Sequence, residues 1–380
     1  MAAHVEEVRN QPSSPPEEFQ PIVPWQKLIW PILVLAWIWS GLWILRDPLM
    51  ATINLIGLRE TGFLEAAVGP EASVFAVSRH ALLRLLGVQL LTAAHACLLM
   101  TEAVYSRSRD AGFQRQLARA VTTTAAAAVS IILTAREDIF GYDIRWTGTF
   151  LLLVTAFTAS RHLAANAQLM VQESIAEQRR RKSVKERAVR VWRQLLRQLD
   201  LGSVKDGARQ WVSSLLDRNS GTSERLHAGL AAVLAALSAA WLLFPQSTGS
   251  LFLGSTLLPD TPGPGALTGV SLWLPTFAAL QMSQAAKGST GSHPANLPAK
   301  LAAGLLIPLI GQSAVLADAV ISGASMGQEA QCFALIGAFI SASAWLFAQH
   351  LLGQLPSLGR SIKDGFFYLQ PGSARRAAAG

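Results

Sequence analysis

Hydrophobic residues fall into two blocks, separated by one long polar passage from about Gln172 to Arg225. Within each block the apolar runs are broken by short passages rich in Pro, Gly, Asp and Arg. A bilayer core about 30 Å thick needs about 20 residues of helix, fewer where a flanking Arg or Lys can extend to the surface. By that measure the first block holds four spans: Leu28 to Leu45, about Ala81 to Thr101, about Ala120 to Ala135, and about Trp146 to Val171. The second holds four more: Leu226 to about Phe244, about Ala266 to Ala286, about Leu301 to Ala317, and about Cys332 to Leu352. The pattern predicts an all-α polytopic membrane protein with about eight transmembrane helices. Leu49 to Leu58 is too short to cross and is expected to lie in the membrane interface.

Each block opens with a span that ends in tryptophan, then a proline and an apolar loop piece, then three further spans. The first has Trp43-Ile44-Leu45-Arg46-Asp47-Pro48, the second Trp241-Leu242-Leu243-Phe244-Pro245 followed by Leu251-Phe252-Leu253-Gly254. Because each unit has four spans, both copies enter from one side, as two parallel four-helix repeats about an axis along the membrane normal. Within the first block, Ser40-Gly41, Pro48, Arg84-Leu85-Leu86-Gly87-Val88-Gln89-Leu90-Leu91 and Thr134-Ala135-Arg136-Glu137 carry a resemblance. Residues 28 to 172 resemble the small four-span membrane proteins of the p53-inducible protein eleven type. The resemblance implies a four-helix membrane unit and brings no catalytic residue with it. The second block lacks the arginine before its equivalent span and would be a degenerate copy.

Composition agrees with the pattern: of 380 residues 51% are hydrophobic and 15% charged, and the mean hydropathy is +0.33. The net charge of +8 raises the possibility of nucleic-acid binding. The basic residues instead sit at the ends of apolar runs and in the polar passage, where lipid orientation accounts for them, so nucleic acid is excluded as a partner. With eight spans, every Lys and Arg of the 32 lies on one side except Arg46, Arg59, Arg79, Arg84, Arg136 and Arg145. The excess marks that side as cytosolic and places both termini there, in an endomembrane or the plasma membrane. Cys97 and Cys332, far apart in apolar runs, form no disulfide framework and no metal pattern.

The expected organisation is a disordered cytosolic tail (1–24), membrane unit one (25–172), a basic amphipathic linker (173–225), membrane unit two (226–353) and a cytosolic C-terminal tail (354–380). In the linker, Val184, Ala188, Val191, Trp192, Leu195 and Leu199 recur at helical spacing with basic residues between them. Arg179, Arg180, Arg181, Lys182, Lys185, Arg187, Arg190, Trp192, Arg193 and Arg197 are therefore the candidates for contact with an anionic leaflet, at about 1 kcal/mol for each basic residue. The same segment also suits a topology anchor, capture in the groove of a calmodulin-like partner, or docking to another membrane subunit or a second copy.

Inside the spans, Arg84, His95 and Glu102 are spaced to share one face of a helix. Arg84 and Glu102 can reach the headgroups, and His95 is expected as a neutral ring packed against other helices, bonded to a Gln or Ser. Gln281, Gln284 and Gln312, with Pro275 and Pro308 as possible breaks, are the other intramembrane polar candidates, and they favour a transport path between the halves. The histidines are scattered and no phosphate-binding or dinucleotide loop is present, so no cofactor, metal or catalytic residue is predicted. The expected function is a scaffold or lipid-interacting membrane protein. The alternatives are a small-solute transporter with its path between the halves and, last, a membrane-embedded enzyme.

Topology is testable by single-cysteine labelling. In a chain lacking Cys97 and Cys332, an impermeant reagent applied to intact cells should reach a cysteine placed at Ser255 and spare one placed at Ser203. Labelling at Ser203 refutes a cytosolic linker.

Overall fold

A computed structural model describes residues 24–56, 70–105, 111–134, 146–175, 221–253, 262–286, 297–323 and 327–368. Its helices are α1 (Pro24–Arg46), α2 (Pro48–Ile56), α3 (Pro70–Tyr105), α4 (Ala111–Thr134), α5 (Trp146–Ile175) and α6 (Thr222–Leu243). They continue as α7 (Pro245–Leu253), α8 (Pro262–Ser271), α9 (Trp273–Ala286), α10 (Leu297–Ile321) and α11 (Glu329–Tyr368). Among the described residues the only regular structure is helix. The tails at 1–23 and 369–380 and the linker at 176–220, with all of its candidate lipid contacts, lie outside the described residues.

Among the described residues six helices contain stretches long and apolar enough to cross a membrane: Trp25–Arg46, Val77–Tyr105, Phe113–Thr134, Thr222–Leu243, Leu297–Ile321 and Glu329–Leu351. The six do not include α5, whose side chains are described only as far as Leu163, nor the pair α8 and α9. The sequence predicts one span over Ala266–Ala286 with Pro275 as a possible break, and the helix is interrupted for a single residue at Leu272, whose N–H still donates to Thr268 at 3.2 Å and whose carbonyl accepts from Thr276 at 3.0 Å. Pro275 has no N–H to bond the carbonyl of Ser271, four residues earlier. Pro308, the other expected break, sits inside an unbroken α10.

Prolines start helices here more often than they stop them. α1, α2, α3, α7 and α8 each begin at one, where the missing N–H costs nothing and the fixed φ suits the first turn. Arg46-Asp47-Pro48, read from sequence as a stop, is both a stop and a start, since Asp47 accepts from the backbone N–H of Met50 at 3.2 Å and caps α2. Pro70 likewise moves the start of α3 eleven residues ahead of the expected Ala81. At the other end of the chain, α11 continues to Tyr368, into the expected C-terminal tail.

Packing divides helices that are apolar on all sides into lipid-facing and buried stripes. In α1, Leu28, Ile32, Leu35, Trp39 and Leu42 are exposed at helical spacing, while Trp30, Leu33, Trp37 and Ile44 are buried. Lipid tails are as apolar as leucine, so helices associate through close contact rather than by escaping water. Glycines permit that contact. A Cβ on Gly41 of α1 would lie 3.0 Å from the carbonyl oxygen of Gly87, and one on Gly269 of α8 would lie 3.0 Å from that of Ser238.

Pairs of helices recur along the chain. α1 packs on α3 as α6 packs on α8 and α9; α4 packs on α5 as α10 packs on α11. Across the middle, α3 packs on α10 while α4 meets α8 and α9. α2 and α7, both nine residues long, follow the first helix of their half and start at proline. The last carbonyls of α7 are capped by neighbours, Phe252 by the thiol of Cys332 at 2.8 Å and Leu253 by the hydroxyl of Ser78 at 3.0 Å.

Glycine substitutions separate tight from open positions. A Cβ on Gly148 would sit 2.5 Å from the backbone oxygen of Leu55, whereas one on Gly337 meets nothing within 4 Å. Gly148→Ala should lower stability by about 1–3 kcal/mol. Gly337→Ala should be neutral or stabilising by up to about 1 kcal/mol, both read by thermal unfolding in detergent.

Candidate functional site

Helix α3 lies at the centre and touches α1, α2, α4, α7, α8, α9 and α10. Its stripes face different partners. Arg84, Val88, His95 and Glu102 all meet α10, in antiparallel register. The guanidinium of Arg84 is 2.6 Å from the carboxylate of Asp318. Gly311 receives the side chain of Val88 and Gly304 receives the ring of His95. The His95 Nε2–H donates to the carbonyl of Lys300 at 3.1 Å, and the Lys300 ammonium pairs with Glu102. Gly304 and Gly311 are seven residues apart, as are Val88 and His95, so the fit repeats after two turns. The structure thus brings the three ionisable candidates of α3 into one seam with α10. The partner of His95 is a backbone carbonyl rather than the expected Gln or Ser.

The glutamine candidates do not converge with His95. The Gln281 amide donates at 2.7 Å to Gln116, which joins α9 to α4. Gln284 is half-buried near the end of α9. Gln312 is buried in α10 with its side-chain N–H2 unpartnered. Between α3, α4, α9 and α10 there is a gap of only about 20 Å³, bordered by Thr92, His95, Phe277 and Gly304.

The larger opening is on the other side of α3. At 100° per residue, Gln89, Ala93 and Cys97 lie roughly opposite the stripe that faces α10. They border a partly open cavity of about 90 Å³. Trp37 and Ile44 of α1 and Val121, Thr124 and Ala128 of α4 form two of its walls. Leu151 and Thr155 of α5 and Leu267 and Val270 of α8 form the others. The walls are almost entirely apolar. Trp37 Nε1–H donates to Thr155 Oγ1 at 3.2 Å, and Thr155 itself donates to the carbonyl of Leu151 at 2.8 Å. Gln89, only 1% exposed, has neither its amide nitrogen nor its amide oxygen bonded, and Thr124 Oγ1 is also unpartnered.

Sequence reading did not nominate Gln89 or Thr124. The available signal was Gln89 as a polar residue well inside the second span, the same signal that singled out the glutamines of the second half. For metals, the described residues contain no group of three His, Cys, Asp or Glu side chains placed to hold an ion. Cys97 and Cys332 are both buried free thiols.

Among the described residues six apolar helices are long enough to cross a membrane, which fits a multi-pass membrane protein, and ion pairs and polar contacts join helices to one another. Comparison with family models, with curated proteins and with solved structures finds no match to the chain.

The Arg84–Asp318 pair sets a measurable coupling. Both side chains are partly exposed, at 33% and 52%, which limits their interaction to about 1 kcal/mol or less. A double-mutant cycle with Arg84→Gln and Asp318→Asn, followed by unfolding in detergent, should return a coupling in that range that shrinks at high salt.

Proposed function

We propose that this chain is an eight-span integral membrane protein of two parallel four-helix units, acting as a scaffold or lipid-interacting subunit without catalytic chemistry. The seam between α3 and α10 carries the reading. A transporter needs a hydrated polar path near the midplane between its halves. Here that place is occupied by side chains seated on glycines, His95 on Gly304 and Val88 on Gly311, with an ion pair at each end.

The count of eight rests on register. Glu224 accepts from Ser283, Ser238 donates to Gly269, and Trp241 lies against Gly265, so α6 has one antiparallel neighbour along its whole length, made of α9 and then α8. A broken helix that follows a spanning helix from end to end spans with it. The 30-residue α5 supplies the remaining crossing. The matched packing pairs of the two halves support the parallel repeat, and α1–α5 is the unit with the four-span resemblance. In this reading both termini and the 173–225 linker are cytosolic, and Arg179–Arg197 rests on the anionic leaflet.

The seam makes a functional test direct. Proteoliposomes loaded with a pH-sensitive dye and given an external pH step should equilibrate no faster with the wild type or with His95→Leu than protein-free vesicles do. A wild-type flux that His95→Leu abolishes in a folded protein overturns the scaffold reading in favour of a carrier.

A further inference from the structure

The cavity beside α3 is a slot that runs with the helices. Its lining extends from Leu86 to Cys97 on α3 and from Val121 to Ile132 on α4, in each case about 16 Å at 1.5 Å per residue. One end lies at Ile44, Leu86, Ile132 and Gly148, close to where α1 and α4 end at Arg46 and Thr134 and α5 begins at Trp146. The other end lies at Trp37, Cys97, Val121 and Thr155, and Trp37 is about 13 Å along α1 from Arg46. The slot therefore covers the depth of one leaflet in a bilayer core about 30 Å thick, from near one surface to the middle. Its walls rule out most occupants. Gln89 and Thr124 border it, but their unpartnered amide and hydroxyl atoms have almost no accessible surface, so what an occupant meets is almost wholly carbon. Apolar cavities stay dry, and a polar or charged solute would lose its solvation here without gaining a partner. Left empty, the slot forfeits dispersion contacts, which are what hold helices together in lipid.

We infer that this slot holds one unbranched acyl chain of a bilayer phospholipid, drawn from the leaflet on the Arg46 side and inserted between α1, α3, α4, α5 and α8. Length, direction and chemistry agree. A chain of that leaflet lies over the same depth, runs along the same axis and asks for carbon contacts alone. The volume, about 90 Å³, is below the roughly 150 Å³ of an engineered cavity that takes benzene, and because it is drawn out along the helices a slim chain fits where a ring system does not. The partly open wall leaves the second chain and the headgroup outside.

The inference rests on the lipid-interacting reading and can fail separately from it. The full chain is placed in nanodiscs containing a small fraction of a phosphatidylcholine with a diazirine near the end of one straight acyl chain, and after irradiation the cross-links are mapped to single residues. Helix α4 carries its own control. Lipid outside the bundle reaches the exposed Ala126, Ser130 and Leu133, whereas a chain in the slot reaches the buried Val121 and Ala125. Moving the diazirine next to the ester should shift the buried labels to Ile132. Ala125→Leu, which narrows the slot, should reduce buried labelling about tenfold relative to the exposed labels. The wild type gives a second measurement that needs no variant. When the surrounding lipid is changed from straight-chain to methyl-branched phosphatidylcholine, competition for a slim slot falls, and the ratio of buried to exposed labels should rise several-fold. Exposed labels without buried ones overturn the inference, as does an equal ratio in the two lipids or unchanged buried labelling in a folded Ala125→Leu. Each of these leaves the α3–α10 seam and the scaffold reading standing, which fail instead on a pH flux that His95→Leu abolishes.

Discussion

Close approach of α3 to its neighbours is the contact on which the other helices depend. In lipid the burial of apolar surface supplies little drive between helices, so what holds them is the number of atoms in van der Waals contact and the few polar bonds they share. Small residues set that number. Gly41 and Gly87 bring α1 against α3, while Gly304 and Gly311 bring α10 against its other side. Once α1 and α10 are fixed on α3, the antiparallel pairs α4–α5 and α6 with α8–α9 have defined places to dock. The middle of the molecule is therefore built from helices of the two halves together.

Polar groups inside this bundle sort by whether a partner lies across a helix interface. Arg84, His95 and Glu102 each find one on α10, Trp37 finds Thr155 on α5, and Gln281 finds Gln116 on α4. Each of these bonds joins helices distant in sequence and gives the packing direction as well as energy. Gln89 and Thr124 differ, since both are buried and border the cavity instead of an opposing polar atom. They are not alone in this, since Trp30 Nε1 in α1 and the Gln312 side-chain nitrogen in α10 are also buried without a partner.

Much of the architecture was legible from the chain alone, and the reason is the bilayer. A spanning helix must be apolar over a fixed length, so the runs ending at Leu45, Thr101, Ala135 and Phe244 announce their helices directly. The one-face placement of Arg84, His95 and Glu102 also follows from helical geometry, which needs no partner to be known. Less was legible where local chemistry has two outcomes. Proline both stops and starts helices, so Pro48 marked the end of the first span without showing that α2 begins at it, and Pro70, inside an expected loop, gave no sign that it opens α3. Pro275 coincides with a break and Pro308 does not, although each has an apolar helical environment, because neighbours decide whether freed carbonyls are accommodated.

Sequence by itself determined that this is an all-helical, multi-pass membrane protein with polar residues at particular turns of its helices, since span length and helical period are local properties. Only the tertiary structure decided which of those residues meet. No periodicity tells that Asp318 lies opposite Arg84, that a backbone carbonyl receives His95, or that Gly304 rather than a larger residue faces it. Nor does any pattern distinguish Gln281, which is bonded, from Gln89, which is not. A glutamine in an apolar helix reads the same whether another helix brings it a partner or leaves a space, and which of the two occurs depends on contacts far along the chain.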